Sequence, residues 1–374
     1  MPEQWMLHCH DCGWSSSLVV TFWRCPACGG LLLLQSEVRM ERRAIRRGDP
    51  TLWRYAACLP VARPVRSLGE GMTPLVAGEL EGRPVLFKLD FLLPTGSFKD
   101  RGASLLVAAL AAAGVRALAV DSSGNAAAAF AAYAALHGLE ALVFAPAGTS
   151  PAKLAQARAY GAKVALVEGS REAVARAAQQ AAEQPGVAYA SHNRHPLFVE
   201  GTKTWLLEVW EQLGYRWPAA CFLPVGGGSM LAGAALAGRA LGARGPLLVA
   251  AQPEACAPLA RAWTQPRRRL EAVHAGPTIA EGARIAAPPR GSFLLTMLEE
   301  SGGWPEAIAE AELIETTRQL WRRGLYVEPT AALGAAAFRR AVRRGWEPLH
   351  PVVIVLTGSG LKASSVIEQL LETS

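Results

Sequence analysis

The sequence predicts an α/β fold: two open, mostly parallel sheets covered by helices, preceded by a small cysteine ribbon. Three observations predict it. Short apolar runs alternate with helix-length segments from Val85 onward. Glycine- or hydroxyl-rich turns stand where such runs pass into helices, at 122–125 and 225–229. Four cysteines fall in two close pairs within the first 30 residues. Strand and helix signals in strict alternation argue for parallel sheets buried on both faces.

The ribbon comes first. Cys9 and Cys12 are separated by two residues, as are Cys25 and Cys28, and each pair runs into glycine at Gly13 and at Gly29-Gly30. This is the pattern in which backbone N–H groups turn toward thiolates and four sulfurs enclose a tetrahedral zinc. A full set of thiolates makes the site structural and closed, without an open position for catalysis. Two redox pairs or two disulfides are the alternative, which a cytosolic compartment disfavours. His8 and His10 stand beside the first pair as substitute ligands. The twelve residues between the pairs fit a hairpin, with Leu18–Trp23 expected as a strand. Cys58, Cys221 and Cys256 are isolated and read as core residues.

Residues 37–70 are rich in arginine, helical in part, and then punctuated by Pro60 and Pro64, so they read as a linker. Strands follow at 85–89, 117–120, 141–144 and 164–167, with helices at 97–113, 126–136, 152–160 and 171–184. A second series begins with a helix over 202–213. It continues with a strand at 220–224, a helix from Met230 and strands at 247–252 and 352–356.

With 374 residues, 51% hydrophobic and 18% charged, the chain has enough material for two cores and is too apolar for disorder. The net charge of +7 is scattered, its densest points being Arg267–Arg269 and the group from Arg39 to Arg47. No basic face interleaved with aromatics argues for nucleic acid as a partner. The start Met1-Pro2-Glu3-Gln4-Trp5 lacks a basic and apolar leader. The two uncharged spans 122–139 and 219–238 are broken by loop residues, so no membrane partner is expected. The expectation is a soluble, cytoplasmic protein.

The stretch Pro94-Thr95-Gly96-Ser97-Phe98-Lys99-Asp100-Arg101-Gly102 places a lysine where a turn becomes a helix. A helix start leaves N–H groups free, and a desolvated amine there can act as a nucleophile and form a Schiff base. Only 6 of the 38 basic residues are lysines (Lys88, Lys99, Lys153, Lys163, Lys203 and Lys362). A lysine kept against that bias hints that arginine would not serve. Gly226, Gly227, Gly228 and Ser229 follow a predicted strand and open a helix, a setting that suits a phosphate. No lysine accompanies them, which argues against a nucleotide P-loop. Ser122, Ser123, Gly124 and Asn125 form a second such turn, in which Asn125 is alternatively a helix N-cap. Thr357 and Ser359 lie in a third turn, which a simple glycine-rich bend would also explain.

Taken together, these segments resemble the fold-type II pyridoxal-phosphate enzymes, and most closely the threonine synthase family. The lysine stretch, Glu200-Gly201-Thr202-Lys203-Thr204 and Glu328-Pro329-Thr330-Ala331 carry the likeness, which runs from about Gly69 to Lys362 and includes the ribbon. The resemblance implies that Lys99 holds pyridoxal 5′-phosphate and moves protons, and that Gly226–Ser229 bind the cofactor phosphate. It implies that Asn125 meets the cofactor and that Ser122, Ser123, Gly124 and Asn125 hold the substrate carboxylate. Lys203 is expected to contribute to substrate binding. A hydroxyl, Thr357 before Ser359, is expected at the pyridine nitrogen. The implied domains are a zinc ribbon (1–36), a large cofactor-binding domain (37–98 and 205–374) and a small mobile domain (99–204). A homodimer and an amino-acid substrate are the implied partners.

The implied reaction converts O-phosphohomoserine and water to threonine and phosphate. Members of the family carry an arginine two positions before the Glu-Gly-x-Lys-Thr stretch, where this chain has Phe198. Arg194, His192, His195 or Lys203 would have to substitute for it. Ser359 also stands where the family often has histidine, and Gly227 and Met230 where it often has asparagine. The competing expectation is a β-eliminating or β-replacing paralogue, such as a serine/threonine dehydratase or a cysteate-synthase-like enzyme. A non-catalytic cofactor carrier and a dinucleotide-binding protein are more distant alternatives.

Overall fold

The computed structural model describes residues 4–347, 349 and 351–372; Met1–Glu3, the first residues of the start read for a leader, lie outside them. The chain forms two compact units. One combines Met1–Met72 with Lys99–Thr204, and the other combines Thr73–Phe98 with Trp205–Ser374.

The first unit opens with a three-stranded antiparallel sheet in which Met6–Cys9 lies between Ser15–Ser17 and Leu32–Gln35. The strand expected at 18–23 is not there; the shorter Ser15–Ser17 pairs instead. Leu18, Val20 and Phe22 pack against the main core of the unit rather than joining a ladder. Burial against a neighbouring surface has overridden their β preference. Residues 37–70 are likewise no linker. Their helical content is two 3-10 turns, Arg42–Ala44 and Leu52–Cys58, and Leu52, Trp53, Tyr55 and Cys58 are fully buried. The Trp53 indole donates to Glu70 at 2.9 Å, which ties the segment down.

A four-stranded parallel sheet follows, in the order Lys163–Val167, Glu140–Pro146, Ala117–Asp121, Val187–Tyr189. The helices Lys99–Ala112 and Asn125–His137 pack against each other. In the second of these, nine residues from Ala126 to Ala134 are buried, which requires a helix apolar all round. Gly138 closes it with φ +73° and returns its N–H to the last turn. Helix Arg171–Ala181 is amphipathic, with Val174 and Ala178 inward, and ends three residues earlier than the sequence suggested.

The second unit holds a six-stranded sheet in the order Trp304–Ile308, Leu247–Pro253, Ala220–Pro224, Val352–Val355, Arg83–Lys88, Leu75–Leu80. All neighbours are parallel except the last pair, so the expected mostly parallel α/β design holds. Its two edge strands were not anticipated. Trp304–Ile308 carries Pro305, which an edge tolerates because one side needs no ladder donor. Phe222, Phe338, Trp304 and Trp346 pack edge to face in the core. Strands Ala220–Pro224 and Val352–Val355 are parallel neighbours, so the turns at 225–228 and 356–359 leave from the same end of the sheet. Ligands of open α/β sheets bind outside the carboxyl ends of the strands.

Candidate active site and cysteine cluster

In the second unit, the segment leading to Lys99 is stitched to the turn after Val352–Val355. The Phe98 N–H donates to the Thr357 carbonyl at 2.9 Å, and the Ser359 N–H to the Gly96 carbonyl at 2.9 Å. Ser97 and Gly358 form an antiparallel bridge. The Lys362 ammonium donates to the Thr95 carbonyl at 2.9 Å. Gly96 takes φ +84°, the left-handed turn that aims the chain into the helix. Ser97 Oγ is buried and has no hydrogen-bond partner among the described residues. Ser359 Oγ accepts the Leu361 N–H at 3.3 Å and so caps the 3-10 turn Gly360–Lys362, whereas Thr357 is buried on the strand end. Glu328 was given no role from sequence, yet its carboxylate lies so close that a Cβ at Gly358 would fall 2.3 Å from it.

The glycine turn belongs to the same unit. Helix Ser229–Ala240 starts from Gly228 at φ +79° without a side-chain cap. Its first N–H groups therefore have no capping side chain, and the preceding glycine makes the backbone approachable to an anion. A Cβ at Gly228 would meet Leu294 at 2.1 Å, and one at Gly226 would meet the Gly282 carbonyl at 2.8 Å. Glycine is a steric requirement at both positions.

Lys99 opens helix Lys99–Ala112 in the first unit and is half-buried, followed by the fully buried Asp100 and Arg101. The start of this helix lies on helix Pro196–Thr202. A Cβ at Gly102 would strike the Phe198 ring at 2.6 Å, and one at Gly201 the Arg101 carbonyl at 2.2 Å. Arg101 donates to Thr204 Oγ1 at 3.1 Å. The Glu200–Thr204 motif is thus the seat on which the lysine helix rests. Phe198 is fully buried against Phe130, ring centroids 5.8 Å apart. Lys203 is buried too, with Nζ 2.6 Å from the Cys58 carbonyl and 2.5 Å from Glu200, and it lies 5.2 Å from the Trp5 ring. These bonds make it a structural ion pair; the expected contact with substrate finds no support in them.

Ser122, Ser123 and Gly124 connect strand Ala117–Asp121 to helix Asn125–His137, with Ser122 Oγ accepting the Gly124 N–H at 3.3 Å. Asn125 is the first helical residue, and Gly124 is the N-cap, without a side-chain bond. The N-cap expected at Asn125 is therefore displaced by one residue.

The four cysteine sulfurs lie within 4.8 Å of one another, with Cys9 and Cys28 3.5 Å apart and Cys12 and Cys25 3.8 Å apart. Thiolates about 2.3 Å from a zinc would form a tetrahedron with edges of about 3.8 Å, so the set has the dimensions of such a site. Gly13 and Gly29 turn at φ +75° and +73°, and the Gly30 N–H lies 3.4 Å from Cys28 Sγ. That N–H favours the Cys28 thiolate. The Cys12 and Cys9 sulfurs outweigh it and push the thiol up to about 12, the repulsion a cation would relieve.

A family model described as pyridoxal-phosphate dependent enzyme matches residues 66–358. The chain belongs to the pyridoxal-phosphate dependent enzymes. Threonine synthase of Methanocaldococcus jannaschii is 30% identical over 95% of the chain and 92% of its own length. That of Methanosarcina acetivorans is 29% identical over 98% and 94%. Among solved structures, the threonine deaminase of T.th. matches at 32% identity and TM-score 0.68, covering 77% of the chain and 92% of its own. Maize serine racemase, at 22% identity and TM-score 0.71 over 81% and 92%, shares the fold. For a pyridoxal-phosphate dependent enzyme, the residues present fit the cofactor's needs: a primary amine at a helix start, an uncapped glycine turn for a phosphate, and an orphaned buried hydroxyl at Ser97. Among the described residues, no helix is long and apolar enough to cross a membrane.

Proposed function

We propose that this chain is a threonine synthase, converting O-phosphohomoserine and water to threonine and phosphate. The observation that supports this above all is that the likeness to threonine synthases covers nearly the whole chain, ribbon included, at 98% of its residues. When bound, pyridoxal phosphate withdraws electrons from the substrate's Cα, which permits proton loss and departure of a leaving group. The chain's residues then have these tasks. Lys99 would hold the cofactor through its side-chain amine and, with that amine free, would carry protons at the substrate's Cα and Cβ. Gly226–Ser229 receive the cofactor phosphate on backbone N–H groups. Thr357 meets the pyridine nitrogen as a neutral hydroxyl, a setting that suits elimination and replacement. Ser122–Asn125 hold the substrate carboxylate, with Asn125 also against the cofactor. The four cysteines hold a structural zinc, which metal analysis of the purified protein should find at one per chain. We further read residues 99–204 as a mobile domain and the enzyme as a cytoplasmic homodimer.

A second reading has its own support. Phe198 is apolar and fully buried, and His195 is committed to the Val20 carbonyl at 3.1 Å and the Leu197 N–H at 3.2 Å. With Lys203 paired to Glu200, the half-buried Arg194 and the buried His192 remain among the proposed substitutes, and of these only Arg194 carries a permanent charge. A substrate phosphate buried without a cationic partner is costly. This favours a β-eliminating enzyme acting on serine or threonine, and the 32%-identical threonine deaminase supports it. Phosphate release from O-phosphohomoserine against ammonia release from serine and threonine decides between the two. Under either reading, Lys99→Ala should lose the visible absorbance of the bound cofactor and all turnover. A variant with unchanged spectrum and rate would overturn the cofactor assignment.

A further inference from the structure

The residues between the cysteine pairs reach far from their own sheet. The Trp23 ring packs edge-on against Tyr189, centroids 4.7 Å apart at 76°, and joins a small cluster with Ala119 and Ala178. The Val20 carbonyl meets His195 Nε2 at 3.1 Å. The 20–23 segment is therefore anchored at both ends on the unit that carries the 122–125 turn. Tyr189 ends strand Val187–Tyr189 and stands opposite Ala119 of the neighbouring strand, two residues before Asp121. In a parallel ladder that register puts the Tyr189 side chain on the same face of the sheet as Asp121, and its hydroxyl acts on the Asp121 carboxyl, holding it lower than burial alone would. Asp121 is the last residue of its strand, bonded through the chain to Ser122. Its Oδ1 is buried and has no hydrogen-bond partner among the described residues. A buried acceptor left unpaired is unfavourable and marks a place where a donor is missing.

We propose that Asp121 is the positioning residue of the 122–125 turn, that Tyr189 holds it in place, and that Trp23 of the ribbon clamps Tyr189. Oδ1 is the acceptor that a hydroxyl or N–H of the turn reaches when the turn closes on a substrate carboxylate. The ribbon is then part of substrate recognition rather than an appended module. Zinc-sized geometry at Cys25, two residues from Trp23, fixes the clamp. This rests on the reading of 122–125 as the carboxylate-holding turn.

The test uses the holoenzyme with Trp23→Ala, Trp23→Phe and Tyr189→Phe. The readouts are KM and kcat for the substrate that turns over, hydrogen exchange of the 122–125 amides with and without that substrate, and the cofactor absorbance. Trp23→Ala and Tyr189→Phe should raise KM about fivefold, the factor a single hydrogen bond is worth. They should leave kcat and the cofactor band in place and speed exchange at 122–125. Trp23→Phe, which keeps an aromatic edge, should restore most of the KM. Unchanged KM and exchange in both disruptive variants would overturn the proposal, as would a loss of cofactor absorbance that accounts for the whole effect. If wild type releases no phosphate from O-phosphohomoserine, the threonine synthase reading fails alone. The exchange measurement then runs with L-serine or L-threonine, read by the shift each causes in the cofactor band.

Discussion

The turns at 122–125 and 225–229 have the same topology, each leading from the end of a parallel strand into a helix, yet they are built by opposite means. The second is fixed by sterics: Gly228 sits at φ +79° and its missing Cβ is the space Leu294 fills. The first is fixed by side chains. Gly124 has φ −128° and open space around its Cα, and the conformation depends on Ser122 Oγ and, as proposed, on Asp121 behind it. A turn set by backbone suits a cofactor that stays, and a turn set by adjustable side chains suits a substrate that comes and goes.

The largest effect should come from Gly228→Ala. Left-handed backbone strains any non-glycine residue by about 1–3 kcal/mol, and the overlap with Leu294 adds to it. We expect cofactor affinity to fall at least about tenfold, the equivalent of 1.4 kcal/mol. Titration of the apoprotein with pyridoxal phosphate, followed by absorbance, measures this. Affinity within twofold of wild type would break the comparison, because the glycine turn would then not be set by sterics.

The same contrast governs what was legible in the sequence. A glycine run between a strand and a helix announces itself, because no other residue meets the backbone demand. The lysine stretch was legible for a related reason: Gly96 and the polar run around Lys99 stand out against the apolar helix they lead into, and burying them is costly without a task. Asp121 and Tyr189 were not, since they are 68 positions apart and an aspartate beside two serines reads as a loop residue. Register between strands brings them together, and register is not a local property. Phe198 was noticed only as a missing arginine; the structure gives it a positive task, filling the space above Gly102. The core strands were read to within two residues at either end. The edge strands of the six-stranded sheet were missed because Leu75–Leu80 and Trp304–Ile308 contain Gly78, Glu79, Pro305 and Glu306, which dilute the apolar run.

An intermediate effect is expected from Asp121→Asn. Burial raises the Asp121 carboxyl above its ordinary range, only partly offset by the Tyr189 hydroxyl and the charges of Arg171 and Arg194. A carboxyl with a raised folded-state pKa holds its proton more tightly in the folded state. Its contribution to stability is therefore fully present below the unfolded value and is lost as pH rises through the folded one. The asparagine variant keeps an oxygen for Tyr189 and cannot ionise. Relative to wild type, its melting temperature should gain as pH rises above about 4, the ordinary carboxylate value, while the KM for substrate rises. A difference in melting temperature that does not change with pH would show that Asp121 is charged without penalty, and that the side-chain turn is not held under tension.

The smallest effect should come from Gly124→Ala, and that makes it the sharpest control. Nothing lies within 4 Å of a Cβ at this position, and φ −128° is not the left-handed backbone that Gly228 needs. Surface changes of this kind usually stay within about 0.5 kcal/mol. Stability and cofactor affinity should therefore match wild type, whereas Gly228→Ala loses both. What the substitution can disturb is the approach of a ligand, since the methyl group stands at the N-cap of Asn125–His137, where a carboxylate would sit. A rise in KM without any change in melting temperature would place the substrate at the side-chain turn. A loss of stability would instead show that this turn, like its counterpart, is built on backbone sterics, and the distinction between the two would fall.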